Sequence, residues 1–198
     1  MNQGTSTFSS ADPHPVQIGP GTEGDLPAIV AILNYTIANS DATFTSEPVT
    51  VAERRDWFER FSPAGPHRLL VARRGNRVLG YAASQPYRDH EGFRETVEVS
   101  IALDVSSRGQ GIGTALYRTL FECLASEPVH AALAGIVLPN DASVALHRKS
   151  GFIEIGTFHE YGIKNGRYLS SLWMERLLHP RPANRALSGP KKLHGNPR

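Results

Sequence analysis

The sequence predicts an α/β protein built on one mixed central sheet, antiparallel on its N-terminal side and parallel in the middle, with helices on both faces. Three observations carry that prediction. Two strand-like runs, residues 69–72 and 78–83, flank Gly75-Asn76 and read as an antiparallel hairpin. A two-faced strand over Thr96–Leu103, a glycine-rich turn, an amphipathic helix and a further strand over 131–138 follow in that order, and a helix crossing between two strands makes them parallel. Two last strand runs, 152–161 and 169–177, are separated by Lys164-Asn165-Gly166.

Each element has a local reason. Residues 17–20 can supply a weak first strand. Thr22-x-x-Asp25 is a helix-start pattern, followed by Leu26, Ile29, Leu33 and Ile37 at helical spacing. Thr50-x-x-Glu53 is a second capping box, leading into Trp57, Phe58 and Phe61. In the two-faced strand Val97, Val99, Ile101 and Leu103 alternate with Thr96, Glu98, Ser100 and Ala102, the period of a strand with unlike faces. Ile112, Leu116, Leu120 and Leu124 then recur every four residues, with Tyr117 and Phe121 beside them. Residues 142–150 form a short helix stopped by Gly151.

The turn between that strand and helix carries the chemistry. It reads R-G-Q-G-I-G, with Gly109, Gly111 and Gly113 opening a helix. Such a turn aims unpaired backbone N–H groups at one point, with the positive end of the helix dipole behind them, which suits a phosphate. A Walker loop would end in Gly-Lys-Ser/Thr, whereas Gly113 is followed by Thr114 and Ala115. A dinucleotide fingerprint counted from Gly109 and Gly111 needs a third glycine where Thr114 stands. A plain tight connection needs one glycine, and each extra one costs roughly 1 kcal/mol. What remains, Arg108-x-x-Gly111-x-Gly113, closely resembles the pyrophosphate loop of the GNAT N-acetyltransferases.

The resemblance runs from about residue 18 to 178 and narrows within that superfamily. Leu33-Asn34, Phe44-Thr45-x-Glu47-Pro48, Gly92-Phe93-Arg94 with Thr96-Val97-Glu98, and Leu138-Pro139-Asn140-Asp141-x-Ser143 resemble the phosphinothricin N-acetyltransferases and the related methionine sulfoximine and sulfone enzymes. It implies acetyl-CoA as co-substrate, no metal, a small amine as acceptor and a homodimer. It also implies that the backbone of Ile101, Ala102 and Leu103 meets the pantetheine amides. Arg108, Gly109, Gln110, Gly111, Ile112, Gly113 and Thr114 would hold the pyrophosphate, and Asn140 and Ser143 would contact the cofactor while capping the short helix. The sequence departs from the phosphinothricin enzymes at Ala102, where they usually carry tyrosine.

For the chemistry, an ammonium must lose a proton before it attacks a thioester. Glu98 lies on the strand face opposite Val97, Val99 and Ile101, and matches the glutamate assigned as general base in the phosphinothricin enzymes. The alternative is a solvent-side glutamate paired to an arginine. His147, ahead of Gly151-Phe152, stands where many acetyltransferases place a tyrosine, and an imidazole there could protonate the CoA thiolate or share the base role. A helix histidine making one hydrogen bond is the alternative. An amino-acid acceptor presents a carboxylate, which arginine holds best. Arg88, in Tyr87-Arg88-Asp89-His90, matches the family's substrate loop, and Arg94 is the second candidate. Phe44, Val99 and Ser100 complete the expected acceptor pocket, in which Tyr87 is a further wall.

Composition bounds the rest. At 198 residues and 40% hydrophobic, the chain buries one full core. A net charge of +2 is no nucleic-acid footprint, and no run approaches membrane-spanning length or a signal peptide, so a soluble, cytoplasmic protein without nucleic-acid or membrane partners is expected. The lone Cys123 falls within the amphipathic helix and reads as structural in a reducing compartment. Residues 1–16 and the basic tail 179–198 read as disordered around a domain over 17–178. Two other functions stay open: the same chemistry on a polyamine, antibiotic or protein N-terminus, and a non-catalytic acyl-CoA sensor. A sensor has no need of Glu98 and His147.

Overall fold

The computed structural model describes residues 14–179. The expected disordered segments fall almost wholly outside these residues, except that Val16 already belongs to the first strand. Strands β1 (Val16–Pro20), β2 (Arg68–Arg74), β3 (Arg77–Pro86), β4 (Thr96–Leu103), β5 (Ala131–Val137), β6 (Ile153–Lys164) and β7 (Arg167–Leu177) form one sheet in the order β1-β2-β3-β4-β5-β7-β6. Every neighbouring pair is antiparallel except β4 and β5. The predicted mixed sheet is therefore present, including the weak first strand.

Helices α1 (Leu26–Asn39) and α2 (Val51–Phe58) cover one face of the sheet; α3 (Ile112–Leu124) and α4 (Asp141–Lys149) cover the other. Both capping patterns are used. Thr50 Oγ1 accepts from the Glu53 N–H at 3.2 Å, and the Glu53 carboxylate accepts from the Thr50 N–H at 2.7 Å. Asp25 accepts from the Thr22 N–H and hydroxyl, closing a 3-10 turn over Glu23–Asp25 that feeds α1.

The α3 face is the larger core. Leu116, Leu120 and Leu124 are fully buried there against Val97, Val99, Ala132 and Met174. On the other face Ile29 and Ile32 pack with Leu69, Val71, Tyr81 and Ala83, with Trp57, Phe58 and Phe61 closing the cluster although α2 ends at Phe58. At about 25 cal/mol per Å² of apolar surface, each large side chain so buried contributes on the order of 1.5–3 kcal/mol.

One departure from a regular sheet positions the site. β4 and β5 pair over three rungs only, Thr96↔Ala131, Val97↔Ala132 and Glu98↔Leu133. Beyond that, β4 stays paired with β3 as far as Leu103 and β5 with β7 as far as Val137, so the two parallel strands part company. The edge of β4 from Val99 to Leu103 thus keeps N–H and C=O groups without a strand on its β5 side, and such groups need partners. Strand alternation alone does not signal this fork.

Candidate active site

Glu98 stands on the last rung before the fork. Directly paired residues share a face, so Glu98 lies in one row with Gln85 on β3, Leu133 on β5 and Glu175 on β7. Val97 and Val99, on the other face, are 1% and 4% exposed within the α3 core. Glu98 is half-buried, and burial pushes its carboxyl above the ordinary carboxylate value. Among the described residues no arginine or lysine lies within ion-pair distance of it. The expected arginine-paired alternative is thus absent from these residues. A half-buried carboxylate with no paired cation, at the mouth of a split between strands, is disposed to take up a proton.

The loop past β4 divides its glycines between two tasks. Gly109 and Gly111 adopt the left-handed backbone, at φ 73° and 77°, and a Cβ on either would meet nothing within 4 Å. Gly111 is the N-cap of α3, and its carbonyl accepts the Ala115 N–H at 3.0 Å. The N–H groups of the first turn therefore point out of the helix, and Gly109 and Gly111 put no side chain of their own beside them, as suits an anion. Gly113 is different. It is buried inside α3, and a Cβ there would come within 3.0 Å of Leu146 Cδ2 and 3.5 Å of Leu103 Cδ1. Its lack of a side chain lets α3 lie against α4. Ile112, 3% exposed, offers only backbone to the loop. Arg108 is exposed, and the Gln110 amide bonds back to the Ser106 carbonyl at 2.7 Å.

At the start of α4, Asn140 is the cap, its Oδ1 accepting from the Ser143 N–H at 3.2 Å. Ser143 is not a second cap: it sits within the first turn, and its carbonyl receives His147 Nδ1 at 2.8 Å. A carbonyl only accepts, so Nδ1 carries the proton, and Nε2 accepts from the Tyr117 hydroxyl at 2.7 Å. His147 is 3% exposed, edge-on to Tyr117 and Phe152 in the α3 core. Burial holds its pKa below the ordinary imidazole value, opposed by the bond to Ser143. Both ring nitrogens are engaged, on the sheet face opposite Glu98, where the structural alternative asked for one hydrogen bond. Tyr117, fully buried, had only its helical spacing to mark it.

The acceptor candidates gather on the Glu98 face, with exceptions. Ser100 is exposed there; Val99 is not, since its side chain is in the opposite core, as strand alternation requires. Phe44 packs edge-on against Tyr161 at 5.4 Å and closes on Gly162, where a Cβ would run into the ring. The loop bearing Phe44 is pinned at both ends. Asn34 clasps the Val49 backbone through both amide atoms at 2.9 Å, and the buried Lys164 ammonium donates to the Ile37 and Ser40 carbonyls at 3.1 and 2.7 Å. The sequence marks Lys164 only as part of the Lys164-Asn165-Gly166 turn, whereas it is the buried last residue of β6. The Arg88 guanidinium lies over the Tyr87 ring at 5.0 Å and faces Phe93 at 5.7 Å. His90 Nδ1 caps the turn over Glu91–Phe93, accepting from the Gly92 N–H at 3.0 Å, while Asp89 is exposed. Arg94 is spent locally, on Glu95 at 3.6 Å and the Glu91 carbonyl at 3.3 Å.

A mixed sheet that forks beside a carboxylate, with a glycine loop leading from the same strand to an open helix N-terminus, has the layout an acyl-CoA-dependent acyltransferase requires. The acetyltransferase (GNAT) family model matches residues 34–152, and the chain belongs to that family. It is 42% identical over 165 residues to a phosphinothricin N-acetyltransferase of Streptomyces coelicolor, covering 82% of this chain and 96% of that one. It is 37% identical over 156 residues to the L-methionine sulfoximine/L-methionine sulfone acetyltransferase of Pseudomonas aeruginosa, covering 79% and 91%. The crystal structure of a phosphinothricin acetyltransferase from Sinorhizobium meliloti in complex with acetyl-CoA superposes with a TM-score of 0.78 at 29% identity, over 86% and 94% of the two chains. The protein is an acetyl-CoA-dependent N-acetyltransferase.

Proposed function

We propose that the acceptor is a small amino acid analogue of the phosphinothricin or methionine sulfoximine and sulfone type, acetylated on its amino group by direct transfer. The observation that carries the catalytic part is Glu98, half-buried at the fork without a paired cation. Glu98 takes the proton the ammonium must lose. The freed lone pair then forms the N–C bond to the acetyl carbonyl as the C–S bond breaks, and the nitrogen gives up a second proton as it becomes an amide, which balances the proton taken by the departing thiolate. No cysteine competes as nucleophile: Cys123 lies in α3, packed against the core.

The open edge of β4 over Ile101, Ala102 and Leu103 fits the pantetheine amides, and the first-turn N–H groups around Gly109, Gly111 and Ile112 fit the pyrophosphate, with Arg108 and Thr114 beside them. Arg88, held on aromatic rings, serves the acceptor carboxylate, and Phe44 the wall opposite. His147 is assigned the joining of α3 to α4 and not the chemistry. A homodimer is supported by the outermost strand, where Ile153, Ile155, Phe158 and Ile163 are each more than half exposed. No described helix is long and apolar enough to cross a membrane.

The deciding experiment is thiol release from acetyl-CoA with phosphinothricin, methionine sulfoximine, methionine sulfone, a polyamine and a peptide with a free N-terminus. Turnover is expected with the three amino acids. Release with the polyamine or peptide alone overturns the acceptor assignment and leaves the acetyltransferase in place.

A further inference from the structure

On β7, Leu172 and Met174 are buried in the α3 core, so Trp173 between them points to the opposite face. That is the face of Glu98: Glu98 pairs with Leu133, Leu133 with Glu175, and Trp173 is two residues from Glu175. Trp173 pairs in turn with Gly135, two residues beyond Leu133 in the direction in which β4 and β5 separate. Two strand spacings and two residues put the Glu98 and Trp173 backbones about 12 Å apart. Two side chains and one amino acid with a short side chain between them span that distance.

The indole depends on Gly135. A Cβ at position 135 would lie 3.1 Å from both Cε2 and Cζ2 of the ring, closer than a side chain tolerates. Tyr87 and Phe158 stand edge-on to the same ring, at 5.9 and 6.2 Å between centroids. In this apolar setting the Trp173 Nε1–H is shielded from water and has no acceptor among the described residues. Buried N–H groups are almost always paired, and an unpaired one is unfavourable until an oxygen reaches it.

We propose that Trp173 is a specificity-determining residue, donating its indole N–H to the S=O or P–O oxygen of the acceptor side chain, with Gly135 keeping the space in which the indole lies. Tyr87 and Phe158 face the methyl group that such acceptors carry beside the oxygen. Because the nitrogen is shielded, one of these two rings shifts as the oxygen arrives. The inference rests on the acceptor class proposed above. It adds the group that tells an oxidised sulfur or phosphorus centre from a plain thioether, whose sulfur is a weak acceptor.

The test compares methionine sulfone with methionine. Trp173→Phe is expected to raise KM for the sulfone about 3–10-fold, the effect of one neutral hydrogen bond, while KM for methionine and for acetyl-CoA stays within about twofold. Gly135→Ala is expected to blunt the same discrimination. Since the chain has two tryptophans, Trp57→Phe leaves Trp173 as the lone indole, and its emission should shift saturably with the sulfone at lower concentration than with methionine. An equal loss for both acceptors in Trp173→Phe, or no difference in the emission titrations, overturns the inference while the acceptor class stands. Should Trp173→Phe fail to fold, the emission titration decides alone. Wild-type enzyme that acetylates none of phosphinothricin, methionine sulfoximine and methionine sulfone overturns the acceptor class itself, and the assignment of Trp173 with it.

Discussion

The Tyr117 hydroxyl and His147 Nε2, thirty residues apart, lie 2.7 Å from one another inside the core between α3 and α4. Tyr117→Phe removes the only donor within reach of that nitrogen in the described residues and leaves it buried. The expected cost is about 1–3 kcal/mol of stability, read from urea unfolding. Turnover per folded molecule should stay within a few-fold of wild type. A hundredfold fall in kcat at unchanged stability would return His147 to the chemistry.

The same pair makes stability depend on pH. Burial lowers the folded-state pKa of His147 below its ordinary 6.5, so the unfolded chain binds the proton more readily. Its contribution is fully present above 6.5 and is lost as pH falls below that value. His67 shifts in the same direction, also through burial, so wild type alone does not isolate the effect. The loss of unfolding free energy between about pH 7.5 and 5.5 should shrink in His147→Gln. An identical pH slope in the variant would contradict the assignment.

For Glu98 the burial effect has the opposite sign. The raised pKa keeps a proton on the folded protein above the ordinary 4.5, so stability falls and activity rises as pH climbs through the shifted value. Glu98→Gln is expected to lower kcat about 10²–10⁴-fold at neutral pH, with acetyl-CoA affinity hardly changed. High pH should partly rescue it, because more of the amine arrives deprotonated. Turnover within a few-fold of wild type across about pH 7–9 would remove Glu98 from the base role.

The two kinds of glycine in the loop should separate cleanly. Gly111→Asp places a carboxylate before the open N–H groups and a Cβ on a left-handed backbone, and should abolish thermal stabilisation by acetyl-CoA. Gly113→Ala instead crowds Leu146, costing about 1–3 kcal/mol of stability while a thermal shift with acetyl-CoA persists. An undiminished shift in Gly111→Asp would sink the loop assignment.

Arg88→Ala should raise KM for an amino-acid acceptor by the equivalent of about 1.5–3 kcal/mol and spare acetyl-CoA. Equal kinetics of wild type on an amino acid and on its amide would remove the carboxylate-binding role.

Much of the framework was legible locally. The alternation of Val97 to Leu103 told which face Glu98 occupies, Thr50 and Glu53 found one another across three residues, and the loop glycines announced an open helix N-terminus. These features depend on torsions and hydrogen bonds among residues a few positions apart, so the sequence by itself determined them. The same alternation should have excluded Val99 from the acceptor wall.

Tertiary structure decided the rest. The fork beyond Glu98 and Leu133 follows from β4 keeping β3 while β5 keeps β7, a competition among strands distant in the chain. Nothing near His147 in sequence names Tyr117 as its partner. Lys164 reaches the end of α1 across more than a hundred residues, and Trp173 matters because Gly135 lies beneath it. Periodicity encodes which side of an element is apolar, but not which distant surface will meet it. Burial, pairing and the pKa shifts that follow are properties of that meeting, and they arise only when the chain is folded.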